Sequence, residues 1–157
     1  MSSIIAWRIV KASYTSTAFS GEGAKREGGR WNSVGIPVVY LAESRALAVL
    51  EVLVHVEADD LLKHYRLISA TFDRKFVKDL APTELPENWK KDPPPRSTMR
   101  LGDSWIASGE SAVLRVPGTI VPAESNFLLN PGHPDFENVE LGMPQSFRFD
   151  RRLRRES

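Results

Sequence analysis

The hydrophobic and polar positions of this chain form short alternating segments, and one longer apolar run stands apart from them. Residues 46–54 read Ala-Leu-Ala-Val-Leu-Glu-Val-Leu-Val, and Glu51 is the only charge among them. This run predicts a helix that begins after an N-cap at Ser44 and ends near Glu57. A helix that is apolar nearly all round is typical of a buried helix. We therefore expect Glu51 to lie in a site where something compensates its charge.

The other periodic segments are short, and most of them predict strands. Strands are predicted at residues 4–10, 36–41, 65–72, 111–116, 119–121 and 146–149, and a second helix at residues 97–108, ending at Gly109. Irregular structure is predicted for the glycine-rich residues 13–35, the proline-rich residues 82–96 and a turn at residues 128–134. Many short strands with few helices, and no parallel βαβ alternation, predict an α+β domain.

Composition and charge narrow the classes of protein. A chain of 157 residues, 41% hydrophobic and 26% charged, predicts one globular domain over residues 1–157. The net charge of +1 argues against a general nucleic-acid binder, although residues 148–155 hold five arginines and one aspartate. That basic stretch is a solvated terminus or a dock for a protein partner. The chain has no leader-like or membrane-length apolar run, so we expect a cytoplasmic protein without a membrane partner.

Candidate chemistry is limited by what the chain lacks. Without cysteine it has no disulfide, no thiol nucleophile and no thiolate metal site. His55, His64 and His133 lack metal-motif spacing, and none is recognisably paired with a nucleophilic serine. The glycines of residues 21–29 fit neither the dinucleotide fingerprint nor the phosphate loop, so a doubly wound NAD fold is disfavoured. Composition favours a flexible, solvated loop there over a phosphate-binding one.

Glu51 has two interpretations. An anionic carboxylate in a dry pocket can stabilise a developing oxocarbenium ion or bind a sugar hydroxyl. Alternatively, Glu51 forms a structural ion pair with Arg8 or Arg30, or an i,i+4 contact with His55. Tyr40 has a similar ambiguity, since it either stacks on a planar ligand ring or belongs to the core.

Arg8 lies on the first predicted strand, between Trp7 and Ile9. Strand alternation directs its side chain to the face opposite theirs, where it binds phosphate or faces solvent. Ser111 opens a predicted strand and is a candidate hydrogen-bonding residue at a strand edge.

Several short motifs follow one another in a characteristic order along the chain. They are Trp7-Arg8, Gly28-Gly29-Arg30-Trp31-Asn32, Tyr40, Ala42-Glu43-Ser44, Glu51, Ser111, Ser125-Asn126-Phe127-Leu128-Leu129-Asn130-Pro131, His133-Pro134 and Phe149-Asp150-Arg151-Arg152-Leu153. In this order and spacing, from about residue 7 to residue 153, the chain resembles the RES-domain toxins of bacterial toxin–antitoxin pairs. That domain is named for an arginine, a glutamate and a serine.

The resemblance implies a compact α+β fold similar to ADP-ribosylating toxins, in which β-sheets with few helices surround an NAD cleft. It implies consumption of NAD as a substrate, without a metal, by transfer of ADP-ribose to a host protein or by phosphorolysis or hydrolysis. It also implies a cognate Xre-family helix-turn-helix antitoxin, so that DNA is contacted only through that partner.

Roles for individual residues follow from the same resemblance. Glu51 would steady the oxocarbenium-like ribose. Arg8 and Arg30 would hold the pyrophosphate or the ribose, Tyr40 would pack on the nicotinamide side, and Asn130 would join the NAD-binding set. Glu51, Arg30 and the family serine would form the catalytic group.

The family serine is Ser111 or Ser125. Ser111 is preferred because it opens a predicted strand, and it would bond to the ligand or orient Glu51. The alternative for the whole protein is a non-catalytic nucleotide-binding or partner-binding module, in which Glu51 is only part of a structural ion pair.

Overall fold

The protein is built around one mixed, eight-stranded sheet in a computed structural model that describes residues 2–154. The strands are β1 (Ser3–Lys11), β2 (Val39–Ala42), β3 (Tyr65–Asp73), β4 (Val77–Asp79), β5 (Val113–Pro117), β6 (Ser125–Leu129), β7 (Glu140–Leu141) and β8 (Gln145–Phe147). Their spatial order is β4-β5-β6-β2-β1-β3, and β7 and β8 both pair with β3. Only the β4–β5 pair is parallel among these strands.

The helices are short and lie around the sheet. They are α1 (Glu22–Glu27), α2 (Arg45–Leu53), α3 (Ala58–Leu61) and α4 (Arg96–Ser108). α2 begins as predicted, because the Ser44 hydroxyl accepts a hydrogen bond from the Leu47 N–H at 3.0 Å. α4 ends as predicted at Gly109, whose φ of 64° is left-handed. Within residues 2–154 no helix is long and apolar enough to cross a membrane.

α2 is only half-buried, so the prediction of a fully buried helix is wrong. It packs on β1 and β2 through Leu47 and Ala48, which are its buried residues, while Arg45 and Ala46 face solvent. The apolar run predicted more burial than the structure shows, because several of its aliphatic side chains remain partly accessible to solvent. α2 also ends at Leu53 instead of continuing to Glu57.

The sheet is nearly divided between β1 and β2. These strands pair at one position, Trp7 with Ala42. Continuing that antiparallel register would bring Ile9 opposite Tyr40, but no pairing occurs there. β1 is paired with β3 along its whole length, and β2 with β6 likewise. The sheet is therefore two halves joined at one residue pair, and we call the gap beyond that pair the β1–β2 split.

Hydrophobic clusters cover both faces of the sheet. One contains Ala6, Val39, Leu41 and Phe127, and a second, under α2, contains Ile9, Ala42 and Leu47 with Trp7 packed against it. A third joins Trp31 and Trp105 of the α4 side to the sheet. Alternation along β1 consequently places Arg8 on the Ala6 face, opposite Trp7 and Ile9.

Several sequence predictions are corrected by the structure. Residues 119–121 form no strand, because the Gly118 N–H donates to the Glu124 carbonyl at 2.9 Å and closes a turn. The strand is instead β6, and the predicted turn at 128–134 begins only after it. β4 was missed, and β4, α4 and β5 form a parallel βαβ unit that the sequence did not predict. Residues 13–35 contain α1 and part of a 3-10 turn instead of continuous loop.

Gly102 provides a test of how α4 packs on the glycine-rich segment. A Cβ at Gly102 would collide with the backbone carbonyl of Trp31, and neither backbone can move without repacking the third cluster. We expect Gly102→Ala to lower the free energy of unfolding by about 3 kcal/mol, measured by urea denaturation. Gly23→Ala is the matched control, since nothing lies within 4 Å of its Cβ position. Equal stability of the two variants would contradict this packing.

Candidate functional site

A buried cation lies at the β1–β2 split. The Arg8 guanidinium donates from Nη1 to the Tyr40 carbonyl at 3.0 Å. In a continued register the backbone of Ile9, not the Arg8 side chain, would face Tyr40. The Nε of Arg8 is buried and has no hydrogen-bond partner among residues 2–154. Burial lowers the pKa of Arg8 to about 10, and no carboxylate contributes to that shift. Arg8 is therefore charged at neutral pH and has no counter-ion within residues 2–154, as expected of an anion-binding residue.

Glu51 points from α2 toward β6. Its Oε1 accepts a hydrogen bond from the Asn126 amide Nδ2 at 3.0 Å, and its side chain is half-buried. Within the described chain Glu51 forms no ion pair with Arg8 or Arg30. The carboxylate is thus oriented by a neutral donor instead of by a cation.

Asn126 carries the second unpartnered group. Its Oδ1 and the Nε of Arg8 are the buried side-chain polar atoms that lack a partner among residues 2–154. Asn126 pairs with Ala42 in the β2–β6 ladder, and Ala42 pairs with Trp7, the neighbour of Arg8. Buried polar groups are rarely left unsatisfied. Each lies next to the meeting point of β1, β2 and β6, Arg8 on one face of the sheet and Asn126 on the other, which makes this region a candidate ligand site.

Asn126 was missed as a site residue. It belongs to the motif at residues 125–131, but no sequence pattern gave it a role, and residues 128–134 of that stretch predicted a turn. The available signal was its position at the polar start of an otherwise apolar segment, Phe127-Leu128-Leu129. Its partner on α2 depends on strand register, which a local pattern does not contain.

Tyr40 anchors the glycine-rich segment. Its hydroxyl donates to Asn32 Oδ1 at 2.6 Å and accepts from the Trp31 N–H at 3.1 Å. Asn32 is fully buried, and its Nδ2 donates to the Ala24 and Ile36 carbonyls at 2.8 and 3.0 Å. Burial raises the pKa of Tyr40, which therefore stays neutral. The Tyr40 hydroxyl thus connects β2 to this segment.

Arg30 fastens the proline-rich segment. Its Nη1 donates to the Trp89 carbonyl at 2.9 Å and to the Lys91 carbonyl at 2.8 Å. The structure gives no contact between Arg30 and either Glu51 or Arg8. A role for Arg30 in holding phosphate or in catalysis stays a prediction.

Ser111 and Asn130 lie at the other end of the β5–β6 pair. Ser111 Oγ accepts from Trp105 Nε1 and donates to the Val113 carbonyl, both at 2.8 Å. Asn130 Oδ1 accepts from the Gly132 N–H at 3.0 Å and closes a turn. Val116 pairs with Asn126, so Ser111 is five residues away along the strand direction, roughly 16 Å. The structure does not bring Ser111 to Glu51.

Ser125 immediately precedes Asn126. Its N–H donates to Glu43 Oε1 at 2.6 Å, and its Oγ accepts from Arg115 Nε at 2.8 Å. The first bond fixes the start of β6 against the segment that leads into α2, and the second fixes it against β5. Of the two candidate serines, Ser125 is the one that the structure places beside the Asn126–Glu51 contact.

We call the place where β1, β2 and β6 meet the junction. The fold and this junction define an α+β protein with a candidate polar ligand site in a divided sheet. Residues 5–151 match the RES domain, and the chain belongs to the RES domain family. It is 41% identical over 149 residues to "Toxin Res" of Yersinia enterocolitica, covering 94% of this chain and 98% of that one. It is 36% identical over 156 residues to "Prs ADP-ribosylating toxin" of a Sphingobium species, covering 96% and 97%.

More distant relatives are mycobacterial. The "NAD(+) phosphorylase MbcT" of Mycobacterium tuberculosis is 36% identical over 121 residues, which cover 68% of this chain and 61% of that protein. The crystal structure of the M. tuberculosis MbcT–MbcA toxin–antitoxin complex contains a similar fold, with a TM-score of 0.76 at 21% identity. That alignment covers 94% of this chain and 85% of the solved one. The predicted family resemblance and the α+β class are confirmed.

No group of three or more His, Asp or Glu side chains that could hold a metal ion occurs within residues 2–154. Independence of the reaction from metal stays a prediction.

Tyr40→Phe tests the anchoring role of the hydroxyl. Losing it leaves the buried Asn32 Oδ1 and the Trp31 N–H without this partner, so we expect the free energy of unfolding to fall by about 1–3 kcal/mol. The control is Tyr14→Phe, at a residue whose side chain is exposed.

The contribution of the Tyr40 hydroxyl to stability depends on pH with a definite sign. Because the pKa of Tyr40 is raised in the folded state, its contribution is full below about pH 10 and is lost as pH rises further.

The difference in stability between the wild type and Tyr40→Phe should therefore narrow above about pH 10. Urea denaturation at several pH values measures this difference. A difference in stability between the wild type and Tyr40→Phe that is absent at neutral pH, or that increases above about pH 10, would show that the hydroxyl does not anchor the glycine-rich segment.

Proposed function

We propose that this RES-domain protein is the toxin of a toxin–antitoxin pair and cleaves the bond between nicotinamide and ribose in NAD. The observation that carries the proposal is the junction of β1, β2 and β6. Arg8 lies buried on one face of the sheet there, and Glu51 and the unpartnered Asn126 Oδ1 lie on the other; neither charged group has an ion-pair partner within residues 2–154. NAD has an anionic pyrophosphate and a reacting carbon that becomes cationic, so it offers a partner for each charge.

The proposed chemistry requires little acid catalysis. The C–N bond to nicotinamide breaks, and its electron pair goes to the pyridine nitrogen, which leaves as a neutral group. Positive charge develops on the ribose, and the Glu51 carboxylate stabilises it electrostatically. An acceptor oxygen then bonds to the ribose carbon and releases its proton to water. Arg8 holds the pyrophosphate in the ground state and the transition state alike.

The acceptor is the finer part of the proposal. Transfer of ADP-ribose to a host protein comes first, because the relative named as an ADP-ribosylating toxin matches along 97% of its length. Phosphate comes second, because the relative named as a phosphorylase matches along 61% of its length. Water, which would give hydrolysis, is the third possible acceptor. Incubation with labelled NAD separates protein-bound label, ADP-ribose 1″-phosphate and free ADP-ribose.

A covering partner is part of the same proposal. A toxin that consumes NAD must be inhibited in its own cytoplasm, and the solved relative is a toxin–antitoxin complex. We propose an Xre-family antitoxin that contacts residues 13–35 and the basic residues 151–154, and DNA only through it. Arg155, also predicted in that surface, lies outside the described residues. Residues 1–157 would act as one domain.

Glu51→Gln is the first test of this function. The amide nearly matches the carboxylate in shape but removes the charge that faces the developing cation. We expect nicotinamide release to fall roughly 100- to 1000-fold in kcat, with little change in KM. Glu57→Gln, at an exposed position after α2, is the control. If Glu51→Gln keeps full turnover, Glu51 has no part in the mechanism. Wild-type protein that releases no nicotinamide would leave the binding-module alternative.

Arg8→Met tests the anion site through KM, with folding checked by urea denaturation because the Tyr40 carbonyl loses its donor. Methionine fills a similar volume without charge, so loss of a charged hydrogen bond should raise the KM for NAD roughly 10- to 100-fold. We expect kcat to stay within about threefold, because this contact is made equally in both states. Arg74→Met, on the exposed surface, is the control. An unchanged KM would mean that the buried cation does not meet the ligand.

A further inference from the structure

We propose that Asn126 is the positioning residue for Glu51: its amide N–H holds the carboxylate in one orientation. The inference deepens the proposed function and rests on it. The contact is the 3.0 Å hydrogen bond from Asn126 Nδ2 to Glu51 Oε1. Each residue lies on a different element, β6 and α2, so the bond fixes the helix-borne carboxylate relative to the sheet.

The donor itself is held rigidly. Asn126 is paired on one side with Ala42 of β2 and on the other with Val116 of β5. The residue before it is tied to Glu43 by two further bonds, since the Ser125 N–H donates to Glu43 Oε1 and the Ser125 carbonyl accepts from the Glu43 N–H at 3.0 Å. A side chain on a strand paired along both edges provides a fixed reference point for Glu51.

The start of α2 is fixed to the same region. Ser44, the N-cap of α2, donates from its hydroxyl to Glu124 Oε1 at 2.6 Å, just before β6. The loop that precedes β6 and the helix that carries Glu51 are therefore joined independently of Asn126. Loss of the amide should change the orientation of Glu51 without detaching α2.

A neutral amide suits this position better than a charged donor. Lysine or arginine there would neutralise Glu51, and the carboxylate could no longer stabilise a cation. The amide also has only one favourable orientation, because turning it over would place Oδ1 against a carboxylate oxygen. That orientation leaves Oδ1 buried and without a partner. The unpartnered Oδ1 is thus a direct consequence of the orientation in which the amide donates to Glu51.

The test compares Asn126→Leu with Asn126→Asp. Leucine removes the donor, so kcat for nicotinamide release should fall roughly 10- to 100-fold at every pH, with KM within about threefold. Asn126→Asp places a second carboxyl group against Glu51. Two carboxylates this close retain a shared proton to higher pH than either alone. With that proton the pair again has a donor, so the activity of Asn126→Asp should recover toward wild type as pH falls from about 8 to about 5.

The pH-dependent recovery separates positioning from a purely structural role, which would give two variants with the same profile. Asn138→Asp, an exposed asparagine, should have the wild-type profile. Urea denaturation checks folding. If Asn126→Leu does not fold, Asn126→Asp, which is closest to asparagine in shape, still provides the profile.

A second measurement does not require turnover. Carbon-13 NMR of labelled glutamate carboxyl groups, with Glu51 assigned by its loss in Glu51→Gln, follows the ionisation of Glu51 directly. We expect its resonance to titrate at higher pH in Asn126→Asp than in Asn126→Leu. If the wild type releases no nicotinamide, the proposed function fails while this titration still reports the contact. Wild-type kcat in Asn126→Leu, or equal titrations in the two variants, would overturn the inference.

Discussion

The arrangement of this protein depends on the Arg8 guanidinium in the β1–β2 split. Where a regular antiparallel ladder would continue, the Tyr40 carbonyl accepts a side-chain N–H from Arg8. The strands can therefore separate without leaving that buried carbonyl unsatisfied. Using this side-chain donor in place of a backbone N–H buries a cation that has no carboxylate partner within residues 2–154. A buried cation without a partner is unfavourable in a ligand-free protein. The split thus contains a buried charged group, for which the pyrophosphate of NAD is the proposed partner.

Tyr40 connects this split to the rest of the molecule. Its carbonyl accepts a hydrogen bond from Arg8. Its hydroxyl donates to Asn32 Oδ1 and accepts from the Trp31 N–H. Through those bonds the position of β2 is linked to the glycine-rich segment, and through Trp31 to the cluster under α4. One residue therefore couples the geometry of the site to the packing of a distant helix. This coupling explains why a tyrosine at the site need not touch a ligand to be required for its shape.

Local signals predicted much of the fold, and long-range pairing explains what they missed. The cap at Ser44 and the end at Gly109 were predicted because capping chemistry is contained in a few neighbouring residues. The pairing of Asn126 with Ala42 depends on register between segments far apart in sequence, and so does the distance from Ser111 to Glu51. Ser111 was preferred as the family serine because the sequence predicted that it begins a strand. The residue that contacts Glu51 lies instead at the start of a strand that the sequence suggested was partly a turn.

The sheet itself keeps the two charges of the junction apart. Alternation on β1 places Arg8 on the Ala6 face, whereas Glu51 descends from α2 on the Trp7 and Ala42 face. Had they been on one face, a direct ion pair would have neutralised both, and neither would be available to a ligand. The β1–β2 split adjoins both groups, because Arg8 donates to the Tyr40 carbonyl across it and Asn126 pairs with Ala42 at its edge. The proposed substrate, NAD, has an anionic pyrophosphate and a reacting carbon that becomes cationic, so it carries a charge complementary to each of them.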